Sequence, residues 1–311
     1  MTNPFKSGSR LERVLRAGAF AVTAETTPPL TADPDAPVAR ARPLKGLADA
    51  VNVTSGAGAR AHLSAVTAAG LLARAGIEPV VQFTTRDLNL IALQGEILAA
   101  AALGVANMLC LGGDAIEAGD EGAARAVNDL DSVGLAALAR RMRDDGLTRS
   151  GRVIDAPPRL FIGMADAPFD PPPDWSPDRL QAKIAAGADF FQTQYCFDMD
   201  VCRRYMARVV DAGIAAETPF LIGIAPFASA RQARWMDANL YGVSVPGAVI
   251  DRLAGAADEA AEGQRICLEM LQELQAIPGV AGAHIMAPGS EARAAAVIAE
   301  SGVLEMRPAG L

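Results

Sequence analysis

Residues 81–114 read VQFTTRDLNLIALQGEILAAAALGVANMLCLGGD. A short apolar run breaks into the polar turn Thr84-Thr85-Arg86-Asp87. The stretch 88–104 then places Leu, Ile and Ala at helical spacing and ends in Gly104. A second apolar run, 105–113, closes on Gly112-Gly113-Asp114. Apolar runs of this length, polar only at their ends, suit strands buried on both faces. A glycine just past the helical stretch is the usual C-terminal stop. The segment is a strand–helix–strand unit of the parallel kind.

The same alternation extends in both directions. Further strands are predicted at 19–25 (AFAVTAE), 49–55 (DAVNVTS) and 78–85 (EPVVQFTT). The fourth, 105–113, is followed by 159–165 (RLFIGMA), 188–195 (ADFFQTQY), 219–226 (PFLIGIAP) and 280–286 (VAGAHIM). Helical patterns separate them at 61–76, 88–104, 132–146, 176–187, 198–213 and 260–279. Ser176-Pro177-Asp178 reads as an N-cap with proline at the first helical position. Eight such units predict one α/β domain over 1–311, a closed (β/α)8 TIM barrel, with an extra helix between strands seven and eight.

The competing fold is an open doubly wound sheet. Its support is TSGAGARA at 54–61, where a strand runs into G-x-G-x-x-A. The next strand ends in Thr85-Arg86-Asp87 and not in an acid placed to grip a ribose. Gly56 and Gly58 equally suit a close backbone approach to a ligand at the barrel top.

Composition agrees with a packed barrel. Of 311 residues, 51% are hydrophobic and 21% charged, so the chain can bury a core. Aromatics are 5%, which leaves that core to Ala, Val, Leu and Ile. A net charge of −8 argues against a nucleic-acid partner. Cys110, Cys196, Cys202 and Cys267 form no CxxC pair, and His62 and His284 are the two histidines, so a metal site has no support. The cysteines read as reduced thiols. No apolar run approaches the roughly 20 residues of a membrane span, and the expected location is cytoplasmic. A homo-oligomer is compatible with the sequence.

In such barrels the chemistry sits where strands end. Strand one ends in Glu25, strand two in Thr54-Ser55-Gly56 and strand four in Gly112-Gly113-Asp114; strand six carries Gln192 and Gln194. Desolvation of a carboxyl at a buried strand end favours its protonated form, which suits a general acid; a rim ion pair is the alternative for Glu25. Gly112-Gly113 lets a flat ligand lie against backbone with Asp114 beside it, although a turn aspartate reads the same way. Gln194 offers an amide to a pterin or nicotinamide edge, or is a satisfied interior amide. Lys183 lies within reach of a phosphate or on a solvated helix face. His284 reads as a packed core residue.

Taken together, AFAVTAETTPP (19–29), DAVNVTSGA (49–57), VQFTTRDLNLIALQGEILAAAALG (81–104), MLCLGGD (108–114), GADFFQTQYCFD (187–198) and IPGVAGAHIM (277–286) resemble the methylenetetrahydrofolate reductases. The resemblance runs from about Ser9 to His284. It implies reduction of 5,10-methylenetetrahydrofolate to 5-methyltetrahydrofolate with NADH or NADPH through bound FAD. It implies Glu25 as the general acid and Asp114 as a catalytic residue beside flavin and pterin. Gln194 joins Glu25 and Asp114 in binding the folate. Thr54, Ser55, Ala57, Gln82, Gly113, Asp114, Arg179 and Lys183 fall where the family holds flavin and nicotinamide. Gln82 stands where many members have histidine, and Gly112 where arginine is frequent. Two alternatives stay open: direct hydride transfer from nicotinamide without flavin, and a folate- or flavin-binding subunit that needs a partner for turnover.

Overall fold

A computed structural model describes residues 5–305 and 307. Eight parallel strands close in sequence order into one barrel: β1 (Ala21–Thr26), β2 (Ala50–Val53), β3 (Pro79–Thr84), β4 (Asn107–Leu111), β5 (Phe161–Asp166), β6 (Phe190–Tyr195), β7 (Phe220–Ile224) and β8 (Val280–Ile285). The closing pair puts Thr23 of β1 beside His284 of β8. Closure rules out the open sheet. All eight predicted strands are present, with no end displaced by more than two residues.

The helices are α1 (Arg10–Arg16), α2 (Asp35–Ala41), α3 (Ala65–Arg74), α4 (Leu90–Ala102), α5 (Ser132–Arg140), α6 (Asp178–Ala186), α7 (Met199–Asp211), α8 (Ala230–Asn239), α9 (Gly247–Ala254), α10 (Glu259–Leu274) and α11 (Glu291–Glu300). Side chains of Ser64, Asn89, Asp131, Asp198, Ser229 and Asp258 accept the first free N–H groups of α3, α4, α5, α7, α8 and α10. Such caps satisfy donors that have no partner within the helix. The segment between β7 and β8 holds three helices, one more than the single extra helix expected. The start of α6 is also one residue later than read: Pro177 takes the cap position, and Ser176 Oγ accepts from the Asp178 N–H at 3.2 Å.

The barrel interior is layered. At the N-terminal end Ala21, Ala50, Val80, Leu109, Phe161, Phe190 and Leu221 pack together, and α1 plugs that end with Leu11, Val14 and Leu15. Phe161 and Phe190 stack at 4.8 Å, and a Cβ at Gly163 would lie 2.4 Å from the Phe190 ring. One layer up, the interior turns polar with Thr23, Asn52, Gln192 and His284, all buried. Above that layer the barrel opens. Outside, the larger core joins the strands to their helices. No helix among the described residues is long and apolar enough to cross a membrane.

Candidate active site

The open end holds a cavity of about 500 Å3 lined by Glu25, Gln82, Asp114, Arg179, Gln194 and His284, among others. That volume lies within the roughly 300–1,000 Å3 usual for small-molecule sites. Thr54, Ser55, Ala57, Gly112 and Gly113 also face it. Glu25, Gln82, Gln194 and His284 arrive on four separate strands, Asp114 on the loop after β4 and Arg179 on α6, so the barrel, not a local motif, assembles the site.

Glu25 sits next to the last residue of β1, with its side chain 13% exposed. Its Oε2 accepts from Gln82 Nε2 at 3.0 Å and lies 3.8 Å from His284 Nε2. Oε1 has no hydrogen-bond partner among the described residues. The rim ion pair to an arginine is absent among those residues too. Gln82, two strands along on β3, therefore holds one carboxyl oxygen and leaves the other toward the cavity.

Asp114 ends the loop after β4 and is exposed. Its Oδ2 accepts from the Gly58 N–H at 2.8 Å. Arg86 ties the same loops together: it is buried, donates to the Asp114 and Gly56 carbonyls, and forks onto Asp87. Both readings of Asp114 hold, since one oxygen caps a loop while the residue lines the cavity. Gly56 and Gly58 take left-handed backbone (φ 54° and 62°), the region glycine enters freely. A tight turn follows, and α3 begins only after Ser64. The G-x-G-x-x-A stretch thus serves close loop contact and does not lead a phosphate to a helix N-terminus.

Gln194 lies where β6 departs from regular pairing with β7. Its Oε1 accepts from the Tyr195 N–H at 3.0 Å, which leaves its NH2 toward the cavity. The irregularity needs Gly223 opposite: a Cβ there would lie 2.5 Å from the Thr193 carbonyl and 2.7 Å from that of Gln194. Bulges commonly re-aim a side chain beside an active site.

Lys183 is placed otherwise than expected. Its ammonium is buried, donates to the Ala165 carbonyl at 2.6 Å and pairs with Asp166 at 3.4 Å. Asp166 also accepts from the Tyr205 hydroxyl. Burial, the largest influence, lowers the Lys183 pKa against the pull of Asp166. The lysine is a strut under the cavity floor and does not line it. Arg179 is exposed on the cavity wall, without an ion-pair partner among the described residues.

Four residues take roles that the sequence does not assign them. His284 proves to face Glu25 from β8. Gln192 proves to be the centre of the polar layer. Tyr195 and Met286 join this cavity to a second one of about 320 Å3, lined by Phe227, Trp235 and Arg293. Polar residues inside strands six and eight were the available signal, and their register was the missing one.

A dinucleotide cofactor can be tested against these surfaces. The cavity shares Gly112, Gly113 and Asp114 with a neighbour of about 540 Å3 that carries Arg125 and Asn128. The diglycine wall suits a flat ring. Arg179 and Arg125 are guanidinium groups free of carboxylates among the described residues. These residues are of a kind that would suit a flavin dinucleotide, with backbone at the diglycine for a flat ring and guanidinium groups for its phosphates, whereas the Lys183 ammonium is already taken by Ala165 and Asp166.

The family model described as methylenetetrahydrofolate reductase matches residues 10–302. No curated protein matches the chain. Among solved structures, an uncharacterized protein from Clostridium thermocellum, which binds two copies of 5-methyl-5,6,7,8-tetrahydrofolic acid, superimposes with a TM-score of 0.59. It is 12% identical, and the match covers 95% of this chain and 100% of that one. A 2,3-dimethylmalate lyase of the PEP mutase/isocitrate lyase superfamily gives a TM-score of 0.47 at 13% identity, covering 97% and 89% of the two chains.

Proposed function

The chain belongs to the methylenetetrahydrofolate reductase family, and on that premise we propose that it reduces 5,10-methylenetetrahydrofolate to 5-methyltetrahydrofolate with NADH or NADPH. The observation that carries this reading is Glu25, held at one oxygen by Gln82 and open at the other, in a cavity shared with Asp114 and Gln194.

When bound, FAD supplies the hydride it has taken from the nicotinamide. Gly112, Gly113, Arg179 and Arg125 are the residues that would hold it. The chain's own work is binding, orientation and one proton. Gln194 presents its amide NH2 to the pterin edge, and Asp114 stands beside it on the loop fixed by Arg86. Glu25 Oε1 gives its proton to N10 of the folate, which opens the five-membered ring to an iminium. That iminium accepts the hydride at its exocyclic methylene. Gln82 keeps the carboxyl from rotating while this happens. A positioned acid of this kind contributes roughly 10²–10⁴-fold.

The test is an absorbance spectrum of the purified protein, then NADH and NADPH oxidation with the folate, with and without added FAD. Flavin bands and folate-dependent oxidation are expected. Glu25→Gln is expected to abolish folate reduction and spare nicotinamide oxidation by an artificial acceptor. Near-normal folate turnover in that variant would sink the acid assignment. Turnover without flavin would keep the reaction and replace the hydride donor.

A further inference from the structure

The polar layer beneath Glu25 has a direction. Asn52 Nδ2 donates to Gln192 Oε1 at 2.7 Å, and Gln192 Nε2 donates back to Asn52 Oδ1 at 3.0 Å. The pair ties the two amides to one orientation together, and in the observed one Nε2 of Gln192 is the end that faces Thr23. The same Nε2 donates to Thr23 Oγ1 at 3.0 Å. Thr23 then has one proton to give. His284 Nδ1 lies 2.9 Å from its oxygen, closer than the Ala283 carbonyl at 3.4 Å. A hydroxyl that accepts from an amide and donates to Nδ1 leaves the imidazole proton on Nε2. Nε2 is the nitrogen that points at Glu25 Oε2 across 3.8 Å.

We infer that His284 is a positioning residue for Glu25, set in its Nε2–H tautomer by the chain Asn52–Gln192–Thr23. The inference rests on the reading of Glu25 as the proton donor. Together Gln82 and His284 direct two N–H groups at Oε2. The acidic proton is thereby confined to Oε1, the oxygen that faces the cavity. At 3.8 Å the histidine contact is longer than a hydrogen bond; such contacts tighten when ligand fills a site. The reverse arrangement, with both amides turned and the proton on Nδ1, sets a lone pair of Nε2 against the lone pairs of Oε2. The buried layer explains why a barrel of mostly apolar interior residues carries four polar ones in contact: each fixes the next, and the last reaches the acid.

The chain has two histidines, His62 and His284, so nitrogen NMR of histidine-labelled full-length protein resolves them directly, with His62→Gln assigning the pair. The expected spectrum has His284 neutral with its proton on Nε2, and Thr23→Val erodes that preference. A proton on Nδ1 overturns the inference. Kinetics supply the second arm. An asparagine amide reaches about as far as Nδ1, and a glutamine amide about as far as Nε2. His284→Asn is expected to lower kcat for folate roughly ten- to a hundredfold, part of what a positioned acid contributes. The folate KM should stay within about threefold, as expected when an interaction acts in the transition state. His284→Gln should restore most of the loss. Equal losses in both variants, or none in either, overturn the inference. Glu25→Gln keeps the two failures apart: an inactive Glu25→Gln with an unaffected His284→Asn rejects only the histidine, whereas an active Glu25→Gln rejects the acid itself.

Discussion

Replacing Lys183 with methionine separates two roles that the sequence leaves together. In the structure the ammonium is a buried strut: its side chain and that of Asp166 are 7% and 5% exposed, and it is joined to the Ala165 carbonyl at 2.6 Å. Removing one partner of a buried pair leaves the other charge uncompensated, at about 3–5 kcal/mol. Tyr205 still donates to Asp166, which places the expected loss at the lower end, about 3 kcal/mol. Urea unfolding followed by circular dichroism measures it. Fluorescence adds a local probe, since Trp175 lies edge-on to Tyr205 at 6.2 Å. The double variant Lys183→Met/Asp166→Asn is expected to recover most of the loss, because the buried charge is gone. A pH series adds a sign. Burial lowers the folded pKa of Lys183, so between that value and the unfolded value of about 10.4 the unfolded chain binds more protons. Stability contributed at this site therefore rises with pH across that window. The difference curve, wild type minus Lys183→Met, should slope upward there. Exposed Arg179→Ala should shift stability by only about 0.5 kcal/mol while weakening FAD binding. The reasoning fails if Lys183→Met leaves stability within about 1 kcal/mol and weakens FAD as much as Arg179→Ala does.

Gly223→Val forces a side chain against the Thr193 and Gln194 carbonyls. It should cost about 1–3 kcal/mol by thermal unfolding and raise the folate KM through a displaced Gln194; an unchanged KM would detach the bulge from the site. Burial alone would raise the Glu12 pKa, but donation from the Ser7, Gly8 and Lys6 N–H groups and from Arg16 brings it net below the usual carboxylate value. Its stabilisation is thus complete above the unfolded value of about 4.3 and is lost as pH falls through the lower folded one. Glu12→Gln should lose about 1–3 kcal/mol at pH 7 and less at pH 3, and parallel urea curves at the two pH values would contradict this.

The strands were readable because burial on both faces leaves a residue run few options. VVQFT must be apolar outward toward α3 and α4 and can turn polar only inward, where Gln82 does. Glu25, Asp114 and Gln194 were readable for the same reason: a polar side chain at the end of such a run faces the barrel mouth or nothing. What the sequence hides is which partner a side chain meets across the barrel. Lys183 shows the same helical spacing whether it faces a phosphate or Asp166. His284 shows the same apolar run whether it packs or points at Glu25; only the β1–β8 closure, joining Thr23 to His284, decides. The helix α1 is short, and its three apolar anchors gain meaning only once an open barrel end exists to be filled. A cap needs its own loop and a strand needs its own pattern, so both are local. A tautomer passed from Asn52 to Glu25 needs four strands closed in one register. A chain that folded as an open sheet would keep every residue named at the mouth and lose that alignment. The barrel is therefore part of the proposed chemistry as well as its support.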